Sequence, residues 1–184
     1  VYQNVAGHCW ANSMKAYFEE KFNVEVVNNG VSGIGAGTMI LHWNNLVEED
    51  DDVVICMVGT NNRASSSSLS KFIEYLEGIV SLAKEGNYQF IMMANIPASV
   101  SNENDDRNFH MEDVEHAIRY ITDKYNIPFV NVYSKFIEYC KYTGTTIDSL
   151  LGDGLHPNDD GYDVMFYLIC NAFGIGTKRP GADW

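Results

Sequence analysis

An aspartate and a histidine lie three residues apart in the segment LLGDGLHPNDDGYDVM, residues 150–165, among glycines and a proline. A carboxylate beside an imidazole orients the ring, fixes its tautomer and stabilises its charged form, and a general base requires all three properties. Asp153 and His156 are therefore candidate catalytic residues. The alternative interpretation is that Asp153 only caps a turn and that His156 is a surface side chain.

Two other segments carry groups suited to binding the oxygen of a reacting carbonyl. The glycine-rich run NNGVSGIGAGT, residues 28–38, allows backbone N–H groups to approach a ligand closely. The run GTNN places Asn61 directly after an apolar stretch, where a side-chain amide can stabilise a developing oxyanion. The alternatives are phosphate binding by the glycine-rich run and a plain turn at Asn61 and Asn62.

The composition restricts the classes of partner. A net charge of −13 argues against nucleic acid and against an anionic membrane surface, since both attract basic proteins. No apolar run reaches the length that spans a bilayer. The four cysteines show no CxxC spacing, so nothing requires a disulfide framework or a zinc site, and Cys56 and Cys170 are expected to be buried apolar side chains. The compartment stays open, and a secreted location is compatible with the sequence.

Strand-like and helix-like segments alternate along the chain, which predicts an α/β fold with a parallel sheet between helices. The predicted strands are continuous apolar runs at residues 24–28, 52–59, 88–96 and 128–133. The predicted helices are amphipathic and cover residues 10–22, 69–80, 110–125 and 159–173. Ligands of such folds bind at the carboxyl ends of the strands, where the glycine-rich run and Asn61 are expected.

The order of these segments resembles that of the SGNH hydrolases, also called the GDSL esterase/lipase superfamily. NNGVSG is similar to the glycine block of that family, and GTNN to its G-x-N-D block, with Asn62 in place of the usual aspartate. DGLHPNDDGY is similar to its terminal block and is the most specific part. The resemblance covers nearly the whole chain and implies a single domain over residues 1–184, with a three-layer α/β/α, flavodoxin-like parallel sheet.

The resemblance also implies a role for each candidate residue. His156 would be the general base and Asp153 its orienting partner, while the Gly33 N–H and the Asn61 amide would form the oxyanion hole. The implied activity is that of a serine esterase without metal or cofactor, acting on small acyl esters of the acetyl type, of which acetylated carbohydrate is one family theme. The alternative is a non-catalytic carbohydrate- or ester-binding module. A nucleotide-binding domain fits the fold, but the glycine spacing and the absent P-loop lysine argue against it.

The G-D-S block that carries the family's nucleophile is absent from the sequence. The resemblance places this serine and its preceding strand upstream of Val1, between the strands predicted at residues 24–28 and 52–59. Because a lost central strand would leave backbone groups unpaired, we expect an upstream segment or a second chain to supply both. Ser32 does not fit G-x-S-x-G, since Ile34 replaces the second glycine, and residues 65–68 offer serines without a base in reach.

Overall fold

The computed structural model describes residues 8–63, 68–104 and 107–181. In this part of the chain three parallel strands form one sheet in the order β1-β2-β3, with β1 at Val53–Met57, β2 at Gln89–Met93 and β3 at Phe129–Val130. The α-helices are α1 Trp10–Phe22, α2 Ala36–Leu41, α3 Leu69–Ala83, α4 Val100–Glu103, α5 Met111–Tyr125, α6 Val132–Thr143 and α7 Asp159–Ala172. Short 3-10 turns cover Trp43–Asn45, Thr60–Asn62 and Asp148–Leu150.

Alternate residues of the strands enter two separate cores, one on each face of the sheet. Cys56 and Met92 pack with buried side chains of α2, α3 and α5. Ile91 and Met93, which point to the opposite face, pack with side chains of α1, α6 and α7. The sheet is thus covered by helices on both sides, and the predicted three-layer α/β/α class is confirmed.

The amphipathic patterns form helices close to where the sequence predicts them. In α3 the side chains at helical spacing, Phe72, Leu76 and Ile79, are fully buried. Ser68 caps the start of this helix, because its Oγ accepts a hydrogen bond from Lys71 N at 3.2 Å. The serines at positions 65–67 lie outside the described residues. None of the helices described is long and apolar enough to cross a membrane.

The prediction of a strand at residues 24–28 is wrong. This segment has no regular secondary structure, and its central residue bonds to side chains of α1: Val26 N donates to Glu19 Oε1 at 3.0 Å, and Lys15 Nζ donates to Val26 O at 2.9 Å. A strand needs a neighbouring strand for these groups, and none lies beside the segment among the described residues. Residues 24–28 therefore do not pair with β1.

The strand predicted at residues 128–133 is too long. β3 ends at Val130 because Asn131 begins a helix, its Oδ1 accepting from Ser134 N at 3.1 Å. The apolar residues after it, Val132 and Phe136, belong to the buried face of α6, a helix that the sequence analysis missed. The short helix α2 was also missed, because it lies within the glycine-rich region.

The predicted burial of two cysteines is confirmed. Cys56 and Cys170 are both buried in the core. Burial raises the pKa of the Cys56 thiol to about 12 and that of Cys170 to about 11, because a thiolate loses its hydration there. Both residues act as apolar packing groups.

Candidate active site

The loop between the 3-10 turn Asp148–Leu150 and α7 brings Asp153 and His156 together. Its base is closed by an antiparallel bridge between Leu151 and Pro157 and by a 2.8 Å hydrogen bond from Gly152 N to His156 O. His156 Nδ1 lies 2.8 Å from Asp153 Oδ2. A hydrogen bond from Nδ1 to a carboxylate orients the ring and fixes its tautomer, as a general base requires.

Asp153 is held by its own loop. Its Oδ1 accepts hydrogen bonds from His156 N at 2.7 Å and from Leu155 N at 3.0 Å. Partial burial raises the pKa of the Asp153 carboxyl, but the hydrogen bonds from His156 and Leu155 lower it by more, so the net pKa lies below the ordinary value. The carboxylate is therefore ionised wherever His156 would need it as a partner.

This lowered pKa predicts how the loop contributes to stability. The folded-state pKa of Asp153 is below its unfolded value, so ionised Asp153 stabilises the fold above about pH 4, and that contribution disappears as the pH falls through the folded-state pKa. We expect Asp153→Asn to lower the free energy of unfolding at pH 7, and we expect this difference from the wild type to disappear as the pH falls below the folded-state pKa of Asp153, as measured by urea denaturation. In a His156→Gln background the difference at pH 7 should shrink. A difference that grows on acidification would contradict the assignment.

The turn after β1 joins Asn61 to the glycine-rich run. Asn61 Nδ2 donates to Ile34 O at 3.0 Å, and the neighbouring Asn62 Oδ1 accepts from Ala36 N at 3.0 Å. Gly33 adopts a φ of 76°, a left-handed conformation that a glycine takes without strain. The Asn61 amide thus lies against the residue that follows Gly33, and the shared oxyanion role of the two stays a prediction.

Gly59 sets the start of this turn. Its φ of 132° is available almost only to glycine, and a Cβ at this position would lie 2.4 Å from Val114 Cγ1 of α5. The absence of a side chain lets the turn Thr60–Asn62 pack closely against α5. The first residue of the G-T-N-N motif therefore positions the asparagines that follow it.

A cavity of about 460 Å³ opens beside Gly33. Its lining combines apolar side chains with polar groups and consists of Val31, Ser32, Gly33, Ile34, Thr38, His42, Asn45 and Leu46. Among the residues that the structure describes, no carboxylate, lysine or arginine lines it. His42 and Asn45 could not be predicted from the sequence, since neither belongs to a recognisable motif. Ser32, which does not fit G-x-S-x-G, also lines this cavity.

Arg63, Glu103 and Ser99 were also missed. The Arg63 side chain is fully buried and its Nη1 lies 2.8 Å from Glu103 Oε2, while Ser99 N donates to Gly154 O at 2.8 Å. The sequence feature that could have indicated a role for Arg63 is its position directly after G-T-N-N. Over the ranges that the structure describes, no three His, Cys, Asp or Glu side chains are grouped closely enough to hold a metal ion.

The sequence model of the GDSL-like lipase/acylhydrolase family matches residues 2–164 of the chain. This match includes the glycine-rich run, the G-T-N-N turn and the Asp153–His156 loop. No curated protein matches the sequence.

Solved structures with the same fold include esterases. An acetylxylan esterase from Geobacillus stearothermophilus aligns with a TM-score of 0.78 at 20% identity, covering 94% of this chain and 84% of that one. An alpha/beta hydrolase enzyme from the metagenome of Lake Arreo, Spain, aligns with a TM-score of 0.78 at 19% identity, covering 97% and 87%. A member of the lipolytic protein G-D-S-L family from Veillonella parvula aligns with a TM-score of 0.74 at 20% identity, covering 94% and 91%. These similarities support the α/β/α fold.

Proposed function

Because the chain belongs to the GDSL-like lipase/acylhydrolase family, we propose that it is a serine esterase that hydrolyses small acyl esters of the acetyl type. The observation that carries this proposal is the hydrogen bond between His156 Nδ1 and Asp153 Oδ2 at 2.8 Å. It provides an oriented general base at a position where the sequence resembles the family's terminal block. Its test is the loss of ester hydrolysis in a His156→Ala variant, argued in the Discussion.

Each residue of the site has a separate step. His156 Nε2 takes the proton from a serine hydroxyl as its oxygen attacks the ester carbonyl, and the Gly33 N–H and the Asn61 amide bind the resulting oxyanion. When this intermediate collapses, the alcohol leaves with the proton from His156. A water molecule then attacks the acyl-serine with the same assistance, releasing the carboxylic acid and restoring the serine.

We infer that the serine comes from a strand that pairs with the free side of β1. Within the described residues β1 is the edge of the sheet and residues 24–28 do not pair with it. Although β1 is a continuous apolar run, only Cys56 of its five residues is buried, and Val53 is 49% exposed. A further strand along the free edge would pair its unpaired backbone groups and cover more of this apolar surface. An upstream segment or a second chain is the proposed source of that strand and its nucleophile.

The cavity beside Gly33 supports carbohydrate as the alcohol part of the substrate. Ser32, His42 and Asn45 offer hydrogen-bond donors and acceptors next to apolar walls, which suits a polyhydroxylated, uncharged ring better than a charged or purely aliphatic alcohol. The Geobacillus stearothermophilus protein of the same fold is an acetylxylan esterase. Acetylated xylooligosaccharides are therefore the first substrates to test.

This substrate assignment predicts that substitutions in the cavity affect two substrates differently. The measurement uses the full-length protein, meaning residues 1–184 together with the segment proposed to precede Val1. His42→Ala or Asn45→Ala should lower kcat/KM for an acetylated xylooligosaccharide by about tenfold, because each loses a hydrogen bond to the sugar. Hydrolysis of p-nitrophenyl acetate, which has no sugar, should stay at the wild-type rate. His116→Ala, an exposed histidine of α5, is the matched control. Equal losses on both substrates, or no loss on the sugar ester, would argue against a sugar site in this cavity.

A further inference from the structure

A fully buried arginine, Arg63, directly follows the turn Thr60–Asn62, which carries the proposed oxyanion residue Asn61. The Arg63 side chain has no exposed surface, and its guanidinium donates from Nη1 to Glu103 Oε2 at 2.8 Å and from Nη2 to Asn102 Oδ1 at 2.9 Å. Asn102 and Glu103 both belong to α4 and lie 39 and 40 residues after Arg63 in the sequence. The planar guanidinium with two separate partners fixes direction as well as distance between the turn and α4.

Glu103 in turn anchors α4 to the start of α5. Its Oε1 accepts from Met111 N at 3.1 Å, and its Oε2 lies 3.0 Å from His110 Nδ1. A carboxylate at a helix N-terminus is favoured by the unsatisfied N–H groups there. The turn, α4 and the first residue of α5 are therefore joined through one carboxylate.

The other end of α4 touches the catalytic loop. Ser99, the N-cap of α4, is buried, and its backbone N–H donates to Gly154 O at 2.8 Å. A Cβ at Gly154 would lie 2.6 Å from Ser99 Oγ, and Gly154 has a φ of 81°. The backbone at Ser99 and the backbone at Gly154, which lies between Asp153 and His156, thus approach each other at a distance that only glycine permits.

We propose that Arg63 is a positioning residue that holds the Asn61 turn and the Asp153–His156 loop in a fixed relative geometry through α4. The functional part of this inference rests on the proposed esterase roles of Asn61 and His156. Removing a charged side chain from water costs free energy, so replacing a buried ion pair by hydrophobic residues of similar volume often leaves the free energy of unfolding unchanged or raises it. Stability alone therefore does not account for the Arg63–Glu103 pair. Here the pair connects the two loops that must both face one reacting carbonyl, and small displacements of such groups are costly to the rate.

The first test follows the connection itself and needs no activity. In ¹⁵N-labelled protein, Arg63→Met should move the backbone amide signals of Ser99, Gly154 and His156, which are remote in sequence from the substitution. Glu103→Gln, which keeps the side-chain size, should move the same signals, and the double variant should be less than additive. Arg119→Met is the matched control, because Arg119 pairs with the buried Glu115 elsewhere on α5 and should leave these signals unchanged.

The second test measures the consequence in the full-length protein. Arg63→Met should lower kcat for p-nitrophenyl acetate by about tenfold to a hundredfold with KM nearly unchanged, and Arg63→Lys should recover part of the loss. Arg119→Met should keep the wild-type kcat even if its melting temperature falls. If Arg63→Met does not fold, Glu103→Gln provides the same measurement.

The outcomes separate this inference from the proposed function. Unchanged Gly154 and His156 signals in both Arg63→Met and Glu103→Gln would overturn the connection, as would a kcat no lower than that of Arg119→Met. A change in KM alone would also overturn the positioning role. A full-length protein without esterase activity would refute the proposed function, while the amide signals would still decide whether Arg63 couples the turn to the loop.

Discussion

A His156→Ala variant of the full-length protein, which includes the segment proposed to precede Val1, is expected to hydrolyse p-nitrophenyl acetate about a thousandfold more slowly than the wild type or worse, with KM little changed. The imidazole would act in both halves of the reaction, first removing the serine proton and then delivering it to the alcohol. Its loss affects the transition states more than substrate binding, so the effect should appear in kcat. Steady-state kinetics with purified proteins provide the measurement.

The same measurement on residues 1–184 alone tests where the nucleophile comes from. This chain should hydrolyse p-nitrophenyl acetate no faster than its own His156→Ala variant, while the upstream-extended protein should be active. His116→Ala, which removes an exposed histidine of α5 outside the Asp153 loop, should retain that activity. Activity of residues 1–184 that depends on His156 would contradict an upstream or second-chain serine. Full-length protein that binds acetylated oligosaccharide without hydrolysing it would instead identify the binding module.

The pairing of Asp153 with His156 could be predicted because it is local. Three residues separate the two side chains, and the glycines and proline of the segment force a tight loop, so few conformations keep them apart. The helices α3 and α5 were predictable for a similar reason, since their apolar residues recur at helical spacing over four turns. Short-range patterns of this kind need no knowledge of the rest of the fold.

The features that failed or were missed depend on distant partners. Residues 24–28 have the composition of a strand, but a strand forms only beside another strand, and here Glu19 and Lys15 of α1 bond to the backbone of Val26 instead. Arg63 gives no periodic signal, and its function in the structure becomes visible only when Glu103 and Asn102 are brought to it across α4. The same holds for His42 and Asn45, which meet at the cavity beside Gly33.

Substitutions of the two neighbouring asparagines of the G-T-N-N turn should affect different properties, with Asn61 contributing to kcat and Asn62 to the free energy of unfolding. Asn61 is exposed, and one N–H of its amide bonds to Ile34 O. The second hydrogen of Nδ2 is the one that we propose binds the oxyanion. We expect Asn61→Ala in the full-length protein to lower kcat for p-nitrophenyl acetate by about a hundredfold to a thousandfold while KM and the melting temperature change little.

Asn62 is the matched control for this prediction, because it is buried and its Oδ1 accepts from Ala36 N at the start of α2. Asn62→Ala leaves that buried N–H without its acceptor, so the free energy of unfolding should fall by about 1–3 kcal/mol. The kcat of the folded protein should fall much less than for Asn61→Ala, since Asn62 is buried and its side-chain oxygen is already engaged by Ala36 N, whereas Asn61 is exposed. The contrast depends on which amide meets the reacting oxygen. If Asn61→Ala kept the wild-type kcat and Asn62→Ala lost it, the oxyanion role would belong to the buried asparagine and the proposed geometry of the site would be wrong.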